Sequence, residues 1–171
     1  TGRLETPLKF SYNAYTGLQE TTRKLPLLNA TEFVLIANEA HAAGGEELPF
    51  NYRGDIGQGT NWQDELFQLA NISSQDINIR GGGKKSTYSS SFSSFSQDGI
   101  VGGIKSNFQR YTGKANYSVN PIQGLDLNAS LLYSNTYRRT LPENSIGSLL
   151  YNAISMPSNL PVYDENGDFT R

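Results

Sequence analysis

FQRYTGKANYSVN (residues 108–120), PIQG (121–124) and LDLNASLLYSNTY (125–137) follow one another without a break. From Leu125 the odd positions are Leu125, Leu127, Ala129, Leu131, Tyr133, Asn135 and Tyr137. The even positions are Asp126, Asn128, Ser130, Leu132, Ser134 and Thr136, so only Asn135 and Leu132 break the alternation. Before the turn, Tyr111, Gly113, Ala115, Tyr117 and Val119 alternate with Arg110, Thr112, Lys114, Asn116 and Ser118. A period of two is the mark of a strand between two different environments. A turn bearing proline and glycine between two such runs predicts a hairpin.

Both runs exceed the usual strand length of about 5–6 residues. A strand that crosses a membrane needs about 9–11 residues, an apolar outer face, a polar lumen face and tyrosines near the interfaces. The hairpin fits that description. A long hairpin in a soluble sandwich fits the alternation equally well. In either setting, residues on one face must pair odd with odd. Val119 against Leu125 satisfies this, as does a shift of two residues that sets Gly113 against Tyr133.

Composition narrows the choice of function. Cysteine is absent, which removes disulfides and thiolate metal sites. The net charge of −2 and the lack of a basic run argue against nucleic acid. His41 is the only histidine and has no neighbouring ligand in the sequence, so no metal centre is expected. No apolar run is long enough for a membrane helix, a test that barrel strands would also fail. No secretory leader is visible at the start of the sequence.

Working outward, LKFSYNAYTGLQ (8–19) alternates, with Phe10, Tyr12, Ala14 and Leu18 on one face. Asn29 and Glu32 stand at capping-box spacing before a helix predicted from Ala30 to Ala43, which Gly44 and Gly45 end. GTNWQDELF (59–67) predicts a short helix capped by Thr60 or Asn61, with Trp62 as its anchor or as a sugar-stacking surface. DINIR (76–80) and STYSSSFSSFS (86–96) predict two further strands around a GGGKK turn, and a helix is expected over Ser148–Ser155. Asp164, Asn166 and Asp168 lie two apart, but Gly167 is misplaced for a calcium loop, so a hairpin turn is expected. The fold class is therefore all-β: about five antiparallel strands with short helices in long loops. The spacing of carboxylates supports no catalytic pair.

In their order along the chain, six segments resemble the SusC/RagA family of TonB-dependent outer-membrane transporters. They are KFSYNAYTGLQ, LLNATEFVLIANEA, GTNWQDELFQLA, INIRGGGKKSTYSSSFSSFSQDGI, FQRYTGKANYSVN and MPSNLPVYDENGDF. Asn61 stands where the family commonly has Asp, and Phe33 where Tyr is common. The resemblance implies that residues 1–171 are the N-terminal part of a transmembrane β-barrel, without signal peptide or plug. Thr1 to Thr6 would then leave the plug, and Arg171 would fall in an extracellular loop. It further implies a bacterial outer-membrane importer of oligosaccharides or peptides, working with a SusD-like surface lipoprotein and the TonB complex, with no enzyme chemistry and no cofactor.

Under that reading the polar faces line the lumen: Lys9, Ser11, Asn13, Asp76, Asn78, Arg80, Arg110, Lys114, Asn116, Asp126, Asn128 and Ser130. With Trp62, the residues Arg80, Arg110, Lys114, Asn116, Asp126 and Asn128 are the candidate ligand contacts. The alternative is a soluble glycan-binding β module with Trp62 and the tyrosines as stacking surfaces. A glycosidase fragment is a weaker third reading.

Overall fold

A computed structural model describes residues 4–51, 54–142 and 146–170. The expectations for Thr1 to Arg3 and for Arg171 lie outside the described residues. The chain divides into two compact units. One holds the sheet, from the N-terminal segment up to Glu20 and from Leu69 to Thr140; the other holds Thr21–Gln68 and the chain from Leu141 on.

The sheet has five strands in sequence order: β1 (Thr6–Gln19), β2 (Ala70–Gly82), β3 (Ser86–Asp98), β4 (Asn107–Val119) and β5 (Leu127–Arg139). Every neighbouring pair is antiparallel. In the last hairpin Val119 faces Leu127, Tyr117 faces Ala129 and Gly113 faces Tyr133, the shifted of the two expected registers. The parity is odd with odd throughout that pair. The expectation of five strands holds, but several boundaries move. β2 begins at Ala70, six residues before DINIR, because Ser73, Ser74 and Gln75 give no hydrophobic alternation to read. Gly81 and Gly82 belong to β2, so the turn contracts to residues 83–85, closed by the Gly83 N–H donating to the Ser86 carbonyl at 2.8 Å. β5 begins at Leu127, which leaves Leu125 and Asp126 in the turn.

An aromatic ring covers a glycine, though not at Gly113. A Cβ at Gly113 would meet nothing within 4 Å. At Gly81, which pairs with Tyr88, a Cβ would stand 2.6 Å from the tyrosine hydroxyl. The ring lies over bare backbone there, a packing that only glycine permits.

Pairing parity carries one face across the whole sheet. Phe10, Ile79, Ser90, Ala115 and Leu131 form one row; Tyr12, Ile77, Phe92, Gly113 and Tyr133 form the next. The side chains of this face are open: Phe10 is 64% exposed, Leu131 68% and Tyr133 60%. A soluble sheet of such length would bury this face against a second layer.

The loop unit contains α1 (Ala30–Ala43), α2 (Trp62–Leu66) and α3 (Leu149–Ser155). The capping box of α1 forms as expected: the Glu32 N–H donates to the Asn29 side chain at 2.9 Å, and the Asn29 N–H donates to the Glu32 carboxylate at 3.0 Å. Asn61 caps α2 and Ser148 caps α3. Asp164 Oδ1 accepts the Asn166 and Asp168 N–H groups, and the Tyr163 and Phe169 rings stack at 5.1 Å, so this segment is a plain hairpin turn.

Gly59 fixes how the two halves of this unit meet. Its φ is +68°, and a Cβ there would overlap the Ser158 carbonyl oxygen and the Ala30 side chain. Gly59→Ala therefore meets left-handed strain of about 1–2 kcal/mol and a backbone clash that no rotamer relieves. The expected outcome is faster limited proteolysis within residues 21–68, with the sheet's heat resistance in detergent unchanged.

Candidate functional site

The second face of the sheet is polar and charged. Its rows run Lys9–Arg80–Ser89–Asn116–Ser130, then Ser11–Asn78–Ser91–Lys114–Leu132, then Asn13–Asp76–Ser93–Thr112–Ser134. Arg80, Arg110, Lys114, Asn116 and Asn128 all lie on it, as the alternation predicted. Asp126 does not. It precedes β5 and accepts a hydrogen bond from Asn120, so it is a turn residue and not part of the polar face.

Short side chains tie neighbouring strands together on this face. Asn116 Nδ2 donates to Ser89 Oγ at 3.2 Å, and Ser130 Oγ donates to Asn116 Oδ1 at 2.9 Å. Longer side chains reach farther, with Gln97 Nε2 of β3 donating to Gln19 Oε1 of β1, across β2, at 2.9 Å. A hollow of about 340 Å³ opens where Ser11, Asn78, Arg80, Ser89, Lys114 and Asn116 converge.

Farther along the strands the same face carries aromatic rings that the sequence reading missed. Phe95 and Phe108 meet edge to face at 5.9 Å, and the Arg110 guanidinium stands 5.9 Å from the centre of the Phe95 ring. The signal was present in parity, since Phe95 and Phe92 differ by an odd number. The serines around both rings hid it.

Trp62 belongs to the loop unit. It is half-buried, and its Nε1 donates to the Pro157 carbonyl at 3.0 Å. It lines a hollow of about 510 Å³ with Leu25, Phe33, Asn61, Ile154 and Met156. The ring anchors α2 to the segment after α3 through its polar edge, as an indole set between apolar and polar surroundings does. Thr60 strengthens the same junction, its N–H donating to Ser158 O at 2.8 Å and its hydroxyl to Leu160 O at 2.6 Å.

Gln63 makes the second anchor. Its side chain is 97% buried, at 3% exposure. Oε1 accepts the Leu25 N–H and Nε2 donates to the Leu25 carbonyl, both at 2.8 Å. Asn38 clamps Phe50 in the same two-way fashion, at 3.1 and 3.0 Å. Asp55 is held below the ordinary carboxylate range by the Gly57 N–H and the Thr31 hydroxyl. Its bonds strengthen the loop above the carboxylate's ordinary titration range and are lost as pH falls through the lowered value. Lys24 pairs with Asp64 and His41 Nδ1 stands 2.9 Å from Glu46. Among the described residues no group of three or more His, Cys, Asp or Glu is placed to hold a metal.

No family model matches the chain. Among curated proteins, it is 26% identical over 170 residues to TonB-dependent receptor P26 of Formosa agariphila, covering 99% of this chain and 16% of that one. It is 27% identical over 161 residues to TonB-dependent receptor SusC of Bacteroides thetaiotaomicron, covering 93% and 15%. The chain thus spans about a sixth of the length of these relatives. Among solved structures, the RagAB peptide transporter superposes with a TM-score of 0.77 at 21% identity, covering 99% of this chain and 22% of that one. The RagAB peptide importer in its closed-closed state gives 0.76 at 22% identity, with the same two coverages.

Replacing Gln63 by Leu tests the loop unit's internal clamp. The change keeps the volume but leaves the Leu25 N–H and carbonyl without their partners, at about 1–3 kcal/mol per buried group. Hydrogen exchange at the Leu25 amide is expected to accelerate at least tenfold, with exchange in β2–β4 unaltered.

Proposed function

We propose that this chain, SusC/RagA-like in sequence and fold and part of an outer-membrane β-barrel, forms the first stretch of wall in an energy-dependent importer. The cargo is an oligosaccharide or a peptide. A SusD-like lipoprotein works on the cell-surface side and TonB on the periplasmic side. SusC and RagAB, which bear the likeness, are by name a TonB-dependent receptor and a peptide importer. The observation that carries the reading is the two-faced sheet. An exposed apolar face continues across five strands, with a charged face directly behind it. Lipid satisfies the first face and a water-filled lumen the second.

Strand length agrees. Thirteen residues per strand in β2 to β5 exceed the roughly 9–11 needed for a tilted crossing. Connection lengths orient the sheet. Residues 83–85 and 120–126 join strands at one end, while residues 20–69 and 99–106 join them at the other. Bacterial barrels keep short turns in the periplasm and long loops outside. On that rule β1 runs outward and the loop unit belongs to the cell-surface side, where cargo and lipoprotein arrive. The Lys85 ammonium donates to Pro121 O at 3.2 Å and the Asn120 N–H to Lys85 O at 2.8 Å, which ties the two short turns together.

Two measurements check this reading in the full-length protein. Leu131→Arg, in mid-strand on the apolar face, is expected to cost about 2–4 kcal/mol in folding into detergent or lipid. Ser130→Arg, one residue away on the charged face, is expected to cost much less, and equal costs would refute the lipid assignment. Single cysteines at Lys85, Gln123 and Glu165 test orientation in intact cells. A membrane-impermeant thiol reagent should label the Glu165 site and spare the other two; the opposite pattern would invert the topology.

A further inference from the structure

Charge is segregated along this chain far more sharply than its net value of −2 suggests. The sheet unit carries ten Lys and Arg against five Asp and Glu, a balance of +5. The loop unit carries four against eleven, a balance of −7. Within the sheet the excess concentrates on the polar face. Five cations lie there, Lys9, Arg80, Arg110, Lys114 and Arg138, against the single carboxylate of Asp76. Among the described residues none of the five is in a salt bridge.

One contact makes the imbalance specific. Lys9 pairs directly with Arg80 across β1 and β2. Like charges directly opposite repel and destabilise a sheet. Two strands from Arg80 and one row along, Lys114 is the second cation that lines one hollow with it, while Lys9 lies outside the lining. An anion seated between Arg80 and Lys114 would offset this local excess of positive charge, and Arg80 offers it a bidentate fork. The remaining lining consists of hydroxyls and amides, from Ser11, Asn78, Ser89 and Asn116. Such groups match the alternating donors and acceptors of a sugar ring. At about 340 Å³ the hollow falls at the small end of small-molecule sites, about 300–1,000 Å³.

We propose that the Arg80–Lys114 hollow is a binding subsite for an acidic sugar, a ring carrying a carboxylate or a sulfate. This rests on the polar face being the lumen of an importer, and it narrows the cargo to anionic saccharides. Lys9 reinforces the field without needing to touch the ligand.

The test uses the full-length transporter in detergent, with radiolabelled glucuronate, glucose 6-sulfate and glucose as probes in equilibrium dialysis. Saturable binding of glucuronate or the sulfate ester is expected, with none for glucose. Binding should fall at least tenfold in Arg80→Gln/Lys114→Gln and survive in the charge-keeping Arg80→Lys/Lys114→Arg. Heat-modified migration on gels confirms that both variants are folded barrels. Glucuronate alone assigns a uronate, and the ester alone assigns a sulfated sugar. Absence of saturable binding by either anion, or binding untouched by the double Gln variant, overturns the proposal. So does stronger competition from a Glu-rich peptide than from unlabelled sugar, or one of the protein's own carboxylates seated in the hollow of the full-length structure. Single cysteines at Ser93 and Leu131 separate this failure from that of the importer reading. A water-soluble thiol reagent should reach the Ser93 site and not the Leu131 site in outer-membrane vesicles. Reversal of that pattern refutes the lumen itself, whereas the expected pattern without anion binding refutes only the subsite.

Discussion

Everything in the sheet depends on an unbroken backbone ladder. β4 pairs with β3 on one side and with β5 on the other along its whole length, from Asn107 to Val119. In hydrocarbon an unpaired N–H or carbonyl costs several kcal/mol, so a crossing segment must satisfy each one internally. Helices do this alone; strands need neighbours. Once the ladder is fixed, the pleat sends successive side chains to opposite faces, and a slip of one residue would turn every apolar side chain to the polar face. The irregularity in β1 lies between Thr6 and Lys9, near one end of the strand, where the pairing can shift without disturbing the apolar rows beyond it.

The two faces obey different rules. The apolar face needs only hydrophobicity and fit, and it tolerates Ser90 and Ser94 in β3 among tyrosine, phenylalanine and leucine. Tyr88 lies tightly across Gly81 on this face. The polar face holds neighbouring strands together. It does so with short side chains, Ser89, Asn116 and Ser130, whose bonds bridge three strands. Long cations project between them. Phe95 and Phe108 add a pair of rings to this face, which Tyr15, Ile72 and Leu132 share with its hydroxyls, amides and charges.

The loop unit is organised on other principles. Its core is small: Ala30, Val34, Leu66 and Ala153 are its buried apolar side chains among the described residues. Polar clamps make up the difference. Gln63 and Asn38 each satisfy both backbone groups of a distant residue, as a neighbouring strand would. Trp62 and Thr60 reach carbonyls about a hundred residues later in the chain. Such bonds specify one arrangement of long loops where too little apolar surface exists to do so.

Much of this was legible in the sequence because the signals were local. Alternation in 8–19 and 108–137, the Asn29–Glu32 box and the Asn61 cap each depend on residues within one element, and all form. Even odd-to-odd pairing was fixed, because a single apolar face leaves no other parity. The choice between two allowed registers was not fixed. Val119 against Leu125 and Val119 against Leu127 put the same kinds of side chain opposite one another, and the turn conformation and the β3 neighbour decide between them. The start of β2 and the strand membership of Gly81 were equally hidden, since Ser73, Ser74, Gln75 and glycine carry no periodic signal until partner strands pair with them. Asp126 was placed on the wall by alternation that ran two residues past the true strand start. The sequence by itself therefore determined the architecture, two faces and the residue types on each. Only the tertiary structure decided which charges became neighbours. Lys9 and Arg80 lie far apart in the chain, and the repulsion between them exists only because the β1–β2 register sets one against the other.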